Sequence, residues 1–182
     1  MGNILTVLDQ AKRYMLKQGK HDPMVFVITK EQQSYRLQVL ETQQWNKGAL
    51  GRKKALLLLG RSFAQEECIT TEMITALFFV QEMWFVEREK MEDLPDSPAQ
   101  EPDRRECLGV LELQTGEQTV EQFFWKVDII RHGGIIDLGP AQKMEQPESG
   151  LLTGFLAGVI SAQWDNGEFR RRLDRFQNVG EF

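Results

Sequence analysis

Residues Ile74 to Val86 read Ile-Thr-Ala-Leu-Phe-Phe-Val-Gln-Glu-Met-Trp-Phe-Val, the most apolar run in the chain, and its reading decides the fold. As a strand it sets Leu77, Phe79, Met83 and Phe85 on one side and Phe78, Val80, Trp84 and Val86 on the other. Apolar residues on both sides predict a strand covered on both faces, in the middle of a sheet. A buried helix also fits, because periodicity alone does not separate the two. The aromatic and β-branched content favours the strand.

Upstream, Asn3 to Gln18 places Ile4, Val7, Leu8, Ala11, Tyr14 and Met15 on one helical face, with Gly19 as its stop. After Asp22-Pro23 the pattern turns extended. Met24 to Thr29 and Tyr35 to Val39 read as an antiparallel pair joined through Lys30-Glu31-Gln32-Gln33. Leu50 to Glu66 returns to helical spacing, with Leu56, Leu57, Gly60, Phe63 and Ala64 on one side.

Downstream the composition shifts. Residues 87–106 crowd eight acidic side chains around Pro95, Pro98 and Pro102, which predicts a long exposed loop. Cys107 to Leu113 reads as a strand. Val120 to Ile130 reads as another, with Phe123, Trp125, Val127 and Ile129 inward and Gln122, Phe124, Lys126 and Asp128 on a half-solvated face. Gly133-Gly134 between apolar runs signals a hairpin to Ile135–Leu138, because a type I′ turn needs positive φ at both centres. Pro140 and Pro147 are expected to end the sheet. Gly150 to Trp164 is a short apolar helix, and the remainder is charged, with Arg170, Arg171, Arg172 and Arg175.

Strands in succession with few helical crossovers predict an α+β fold. The expectation is an antiparallel or mixed sheet of five to six strands, with about three helices mainly on one face. Residues 1–147 form the core domain and 148–182 the apolar helix and Arg-rich tail. The length of 182 residues suits this, at a soft prior of ~150 per domain.

Composition excludes several classes. The chain is 41% apolar and 27% charged, which is neither collagen-like nor disordered. Its charge of 22 − 27 = −5 gives no overall basic field for nucleic acid. Cys68 and Cys107, 39 positions apart, form no CxxC pair and no Cys-based zinc site, and read as buried thiols before a disulfide. Asp9, Lys12 and Arg13 break up the N-terminus, so no signal peptide is expected. Gly150 to Trp164 is shorter than the ~20 residues of a spanning helix. A cytoplasmic location follows as the expectation. Met1-Gly2-Asn3-Ile4-Leu5-Thr6 fits the loose myristoylation pattern, but Asn3 as a helix N-cap is the simpler reading.

Chemical motifs are few. His21 and His132 are the only histidines, and a metal there would need a carboxylate such as Asp137 or Glu82, so no metal and no cofactor is expected. Asp128, Asp137 and His132 flank the Gly-Gly turn, and their convergence would make a hydrolase site; separate solvated positions are the ordinary reading. The balance is against an enzyme. Lys47-Gly48-Ala49-Leu50-Gly51-Arg52-Lys53-Lys54 sets a glycine pair before bases at a helix start, where Lys47, Arg52, Lys53 and Lys54 are candidate phosphate ligands. The C-terminal helix is apolar around most of its circumference and carries Gly154-x-x-x-Gly158. It either packs on its own sheet, the favoured reading, or presents Leu151, Leu152, Phe155, Leu156 and Val159 as an interface.

Lys53-Lys54-Ala55-Leu56 to Gly60-Arg61, Leu77 to Trp84 and Pro102-Asp103-Arg104-Arg105-Glu106 together resemble a family of uncharacterised bacterial proteins with a strand ending in E-x-W and an acidic loop closing on P-D-R-x-E. The resemblance spans roughly Lys53 to Leu113 and implies a bacterial cytoplasmic protein without implying an activity. The functional expectation is a non-catalytic accessory protein that meets a protein partner or a second copy of itself. The alternative is a nucleic-acid or phosphate binder through residues 47–54.

Overall fold

The computed structural model of the chain describes residues 2–39, 45, 48–86, 104–115, 120–133, 135–144 and 150–164. The fold is α+β. Helix α1 (Gly2–Gln18) leads into the hairpin β1 (Met24–Thr29) and β2 (Ser34–Gln38), then α2 (Gly48–Glu67) and a 3-10 turn at Thr71–Met73. Strands β3 (Ile74–Phe85), β4 (Arg105–Thr115), β5 (Val120–His132), β6 (Ile135–Leu138) and β7 (Gln142–Met144) follow, and α3 (Leu151–Trp164) is the last described element.

The sheet runs β2-β1-β3-β4-β5-β6, with β7 also on β5, and every neighbouring pair is antiparallel. The Ile74–Val86 run forms its long central strand, between β1 and β4. Leu77 and Phe79 look to one face and Phe78 and Val80 to the other, and all four are buried. The same alternation holds in β1, where Val25 and Val27 oppose Met24, Phe26 and Ile28. A sheet apolar on both faces must be covered on both.

That requirement places the helices. On one face α2 and α3 supply Leu56, Phe63, Leu152, Phe155 and Val159. On the other, α1 brings down Ile4, Val7, Leu8, Ala11 and Met15, at the i, i+3, i+4 spacing of a single stripe. Two helices share a face and the first covers the reverse.

α2 and α3 pack with their backbones in near contact, because glycines remove the side chains between them. A Cβ on Gly60 would collide with the carbonyl oxygen of Phe155, one on Gly158 with that of Leu57, and one on Gly154 would lie 2.9 Å from that of Lys53. α3 therefore shares one core with residues 1–147 instead of standing apart from them.

Three local readings need correction. The sheet does not end at Pro140: the chain turns back and β7 pairs with Phe124–Lys126 of β5. Lys126 is buried, not half solvated, with its ammonium 4.4 Å from the centre of the Phe85 ring and 3.5 Å from Asp128. The exposed loop stops short of residue 106, since Arg105 and Glu106 already belong to β4; residues 87–103 lie outside the described residues, as does the Arg-rich tail. Cys68 and Cys107 are both buried and unpaired. Among the described residues no helix is long and apolar enough to cross a membrane.

Candidate functional site

β1 begins at Met24, opposite Val80, whereas β3 runs on to Phe85. Beyond Val80 the described part of the sheet therefore has a notch on the β1 side of β3. The connection Lys20–Pro23 borders it. Gly19 adopts positive φ (77°) and donates its N–H to the Met15 carbonyl at 2.7 Å, which ends α1 and turns the chain toward the notch. Pro23 accepts from the Val39 amide at 2.9 Å, tying the end of β2 to the same corner. Enclosed is a cavity of about 300 Å³, walled by Lys20, His21, Asp22 and Pro23 on one side and Gln81, Glu82, Met83 and Trp84 on the other, with Trp45 and Glu106 completing it.

His21 is the unusual group. It is 3% exposed, its ring packs edge-on against Tyr14 at 5.4 Å, and both ring nitrogens are buried without a well-formed hydrogen bond among the described residues. Burial pushes its pKa down to about 4, against the opposing pull of the Asp22 backbone and carboxylate. The ring is thus neutral at pH 7, with one donor and one acceptor.

Around it the charges are paired. Asp22 receives Lys20 at 2.8 Å, the Tyr14 hydroxyl at 2.8 Å and Gln38 at 3.4 Å. Lys20 and then Tyr14 hold its carboxyl below the usual range, and the Asp22 acceptor raises Tyr14 in return. Deeper in, Glu82 accepts the backbone N–H of His21 at 2.8 Å and Arg131 at 3.2 Å. Arg131 also grips Glu106 and donates to the Gly19 carbonyl at 2.8 Å. Burial, and then the neighbouring Glu106, raise the pKa of Glu82, while Arg131 lowers that of Glu106. The two carboxyls are thereby driven apart, Glu82 upward and Glu106 downward.

The sites expected from sequence are dispersed. α2 begins at Gly48, so Arg52, Lys53 and Lys54 lie a turn inside it and point in directions about 100° apart, not toward one phosphate. Arg52 lies over the Trp45 ring at 6.0 Å, Lys53 and Lys54 are exposed, and Lys47 lies outside the described residues. Leu151, Leu152, Phe155 and Val159 are buried in the core and Leu156 is packed against it, so they meet their own chain. Asp128, Asp137 and His132 do not converge. Asp128 pairs with Lys126, Asp137 bonds Lys12 of α1 at 2.6 Å, and His132 is exposed beside the hairpin turn. Among the described residues no three His, Cys, Asp or Glu side chains are grouped to hold a metal.

Sequence reading passed over Tyr14, Lys20, Asp22, Glu106 and Arg131. The signal was one of position: Glu82, Glu106 and Arg131 are charges inside three consecutive strands, and the alternation of β3 turns polar at Gln81-Glu82. No family model, curated protein or solved structure matches this chain.

Proposed function

We propose that this chain is a non-catalytic accessory protein that acts by binding, and that the notch beside β3 is its binding site. The reading rests on the cavity of about 300 Å³ at the end of β3, where residues 20–23 and 81–84 with Trp45 and Glu106 bring charged and aromatic side chains together. Recognition suits these groups better than catalysis does. An imidazole with a pKa of about 4 is a weak base at neutral pH, and the carboxylates are all engaged by internal donors. The phosphate alternative has less support, since Arg52, Lys53 and Lys54 diverge.

The test is a series of 1H–15N spectra of the full chain titrated with small amines, amino acids, sugars and nucleotides. Shifts confined to residues 20–23 and 81–84 with one class of probe support the reading. A notch unmoved by every class overturns it.

A further inference from the structure

Taking the notch as a binding site, we infer that its occupant is an extended segment of a partner protein, which adds to the free edge of β3 as a short antiparallel strand opposite Glu82 and Trp84. Strand alternation shows which way each main-chain group of β3 points. In β1 the Thr29 N–H donates to Gln33 and the Pro23 carbonyl accepts from Val39, so the odd residues turn toward β2 and Met24, Phe26 and Ile28 turn toward β3. Their partners Val80, Phe78 and Ala76 turn toward β1 in return, and the alternation carries Glu82 and Trp84 to the same side. The other half of the sheet agrees. The Asp128 carbonyl accepts from Gly139, away from β4, which leaves the opposed Cys107 turned toward Met83. The main chain of Met83 therefore serves β4, and that of Glu82 and Trp84 faces the notch.

β1 does not reach these groups. Its register, Met24 opposite Val80, would continue with Asp22 opposite Glu82 and Lys20 opposite Trp84. Asp22 instead bonds Tyr14 of α1 and Lys20, each at 2.8 Å, and the chain leaves the sheet toward α1. The His21 N–H meets the side chain of Glu82 at 2.8 Å, not its main chain. Among the described residues no main-chain hydrogen bond reaches Glu82 or Trp84 from the notch.

Two N–H and two C=O groups thus stand along about 7 Å of strand edge, a donor and an acceptor at each residue. The backbone of another extended chain answers both kinds at that repeat, which is how peptides add to open sheet edges. Three partner residues span the distance. The first and third would set their side chains on the α1 face, beside Trp84, which is 42% exposed, and Glu82. The middle one would lie on the opposite face, beside Met83 and Trp45. A β-branched or aromatic residue suits Trp84, an apolar one suits Met83 and Trp45, and a small one suits Glu82, whose carboxylate already holds His21 and Arg131.

The experiment measures amide exchange of the 15N-labelled full chain, then titrates it with an acetylated, amidated pentapeptide of threonine, valine, valine, alanine and threonine. In the free chain the Glu82 and Trp84 amides should exchange about tenfold or more faster than those of Gln81 and Met83. The peptide should give saturable shifts there and slow those two amides. Free amino acids, which carry the groups of one residue, should shift the same signals only at far higher concentration. Methylating the peptide nitrogens of the second and fourth residues, which face β3, should weaken binding by about tenfold or more, and methylating the third, which faces away, should weaken it less. Glu82 and Trp84 amides as slow as their neighbours in the free chain mean an edge already paired, and overturn the inference. Equal binding of the differently methylated peptides overturns it as well. A notch that answers small molecules but not the peptide overturns the inference and leaves the binding site standing, and silence from both overturns both.

Discussion

Arg131 of β5 holds Glu106 of β4 at two points, Nε to Oε2 at 2.7 Å and Nη2 to Oε1 at 2.8 Å. The same guanidinium reaches Glu82 of β3 and the carbonyl of Gly19 at the end of α1. One side chain thus locks three strands to the corner that forms the notch. Two-point geometry makes this pair stronger than an ordinary surface ion pair.

Arg131→Met should therefore loosen the corner first. With Arg131 35% exposed and Glu106 20%, the loss falls between exposed and buried pairs, at about 2 kcal/mol. Urea unfolding measures it, and amide exchange should quicken around Gly19 and Lys20 before the sheet interior. A variant as stable as the parent would mean that the pair only decorates the surface.

His21 sets a pH dependence. Its folded pKa of about 4 lies below the ordinary 6.5, so between those values the unfolded chain binds more protons and stability falls as pH falls. Replacing the unpartnered ring by leucine should raise stability at pH 7 by about 1–2 kcal/mol. The gap should widen toward pH 4. Thermal unfolding of H21L across that range decides it, and a destabilised variant at every pH would contradict an unsatisfied ring.

Glu82 carries the opposite sign. Its pKa is raised in the fold, so the native state holds the proton longer, and the stability tied to it is lost as pH rises through the folded pKa. Glu82→Gln removes that loss. The melting temperature of E82Q relative to the parent should therefore climb as pH rises above the ordinary carboxylate range. A constant difference would show that Glu82 titrates as a free carboxyl. Glu106, held low by Arg131, stabilises above the ordinary carboxylate range and loses its contribution on acidification.

α3 is distinguishable as core or interface by two substitutions. Phe155 is fully buried, and Phe155→Ala should cost about 3–5 kcal/mol. Gly158→Ala gains about 1 kcal/mol in an exposed helix, but here its Cβ strikes the Leu57 carbonyl and should cost about 1–3 kcal/mol. Light scattering alongside the urea transition checks the alternative. If either change dissociated an oligomer and left the subunit's stability unchanged, α3 would be an interface.

Composition and periodicity by themselves determined the α+β class, the three helices and the six principal strands, because a buried side is written in the spacing of Ile4, Val7, Leu8 and Ala11 or of Phe78 and Val80. The hairpin from β5 to β6 was equally local, since Gly133 takes the positive φ (54°) that a glycine allows. Which helix covers which face, the return of β7 and the notch belong to the tertiary structure alone. Glu82, Glu106 and Arg131 are 24 and 25 positions apart in sequence, and only the β3–β4–β5 register brings them to one end of the sheet. His21 read only as one of two isolated histidines; its packing against Tyr14 of α1 beside Glu82 of β3 is what buried it and made it neutral. Local patterns encode which side is dry, whereas a site needs groups from distant strands, and only their packing decides which of them meet.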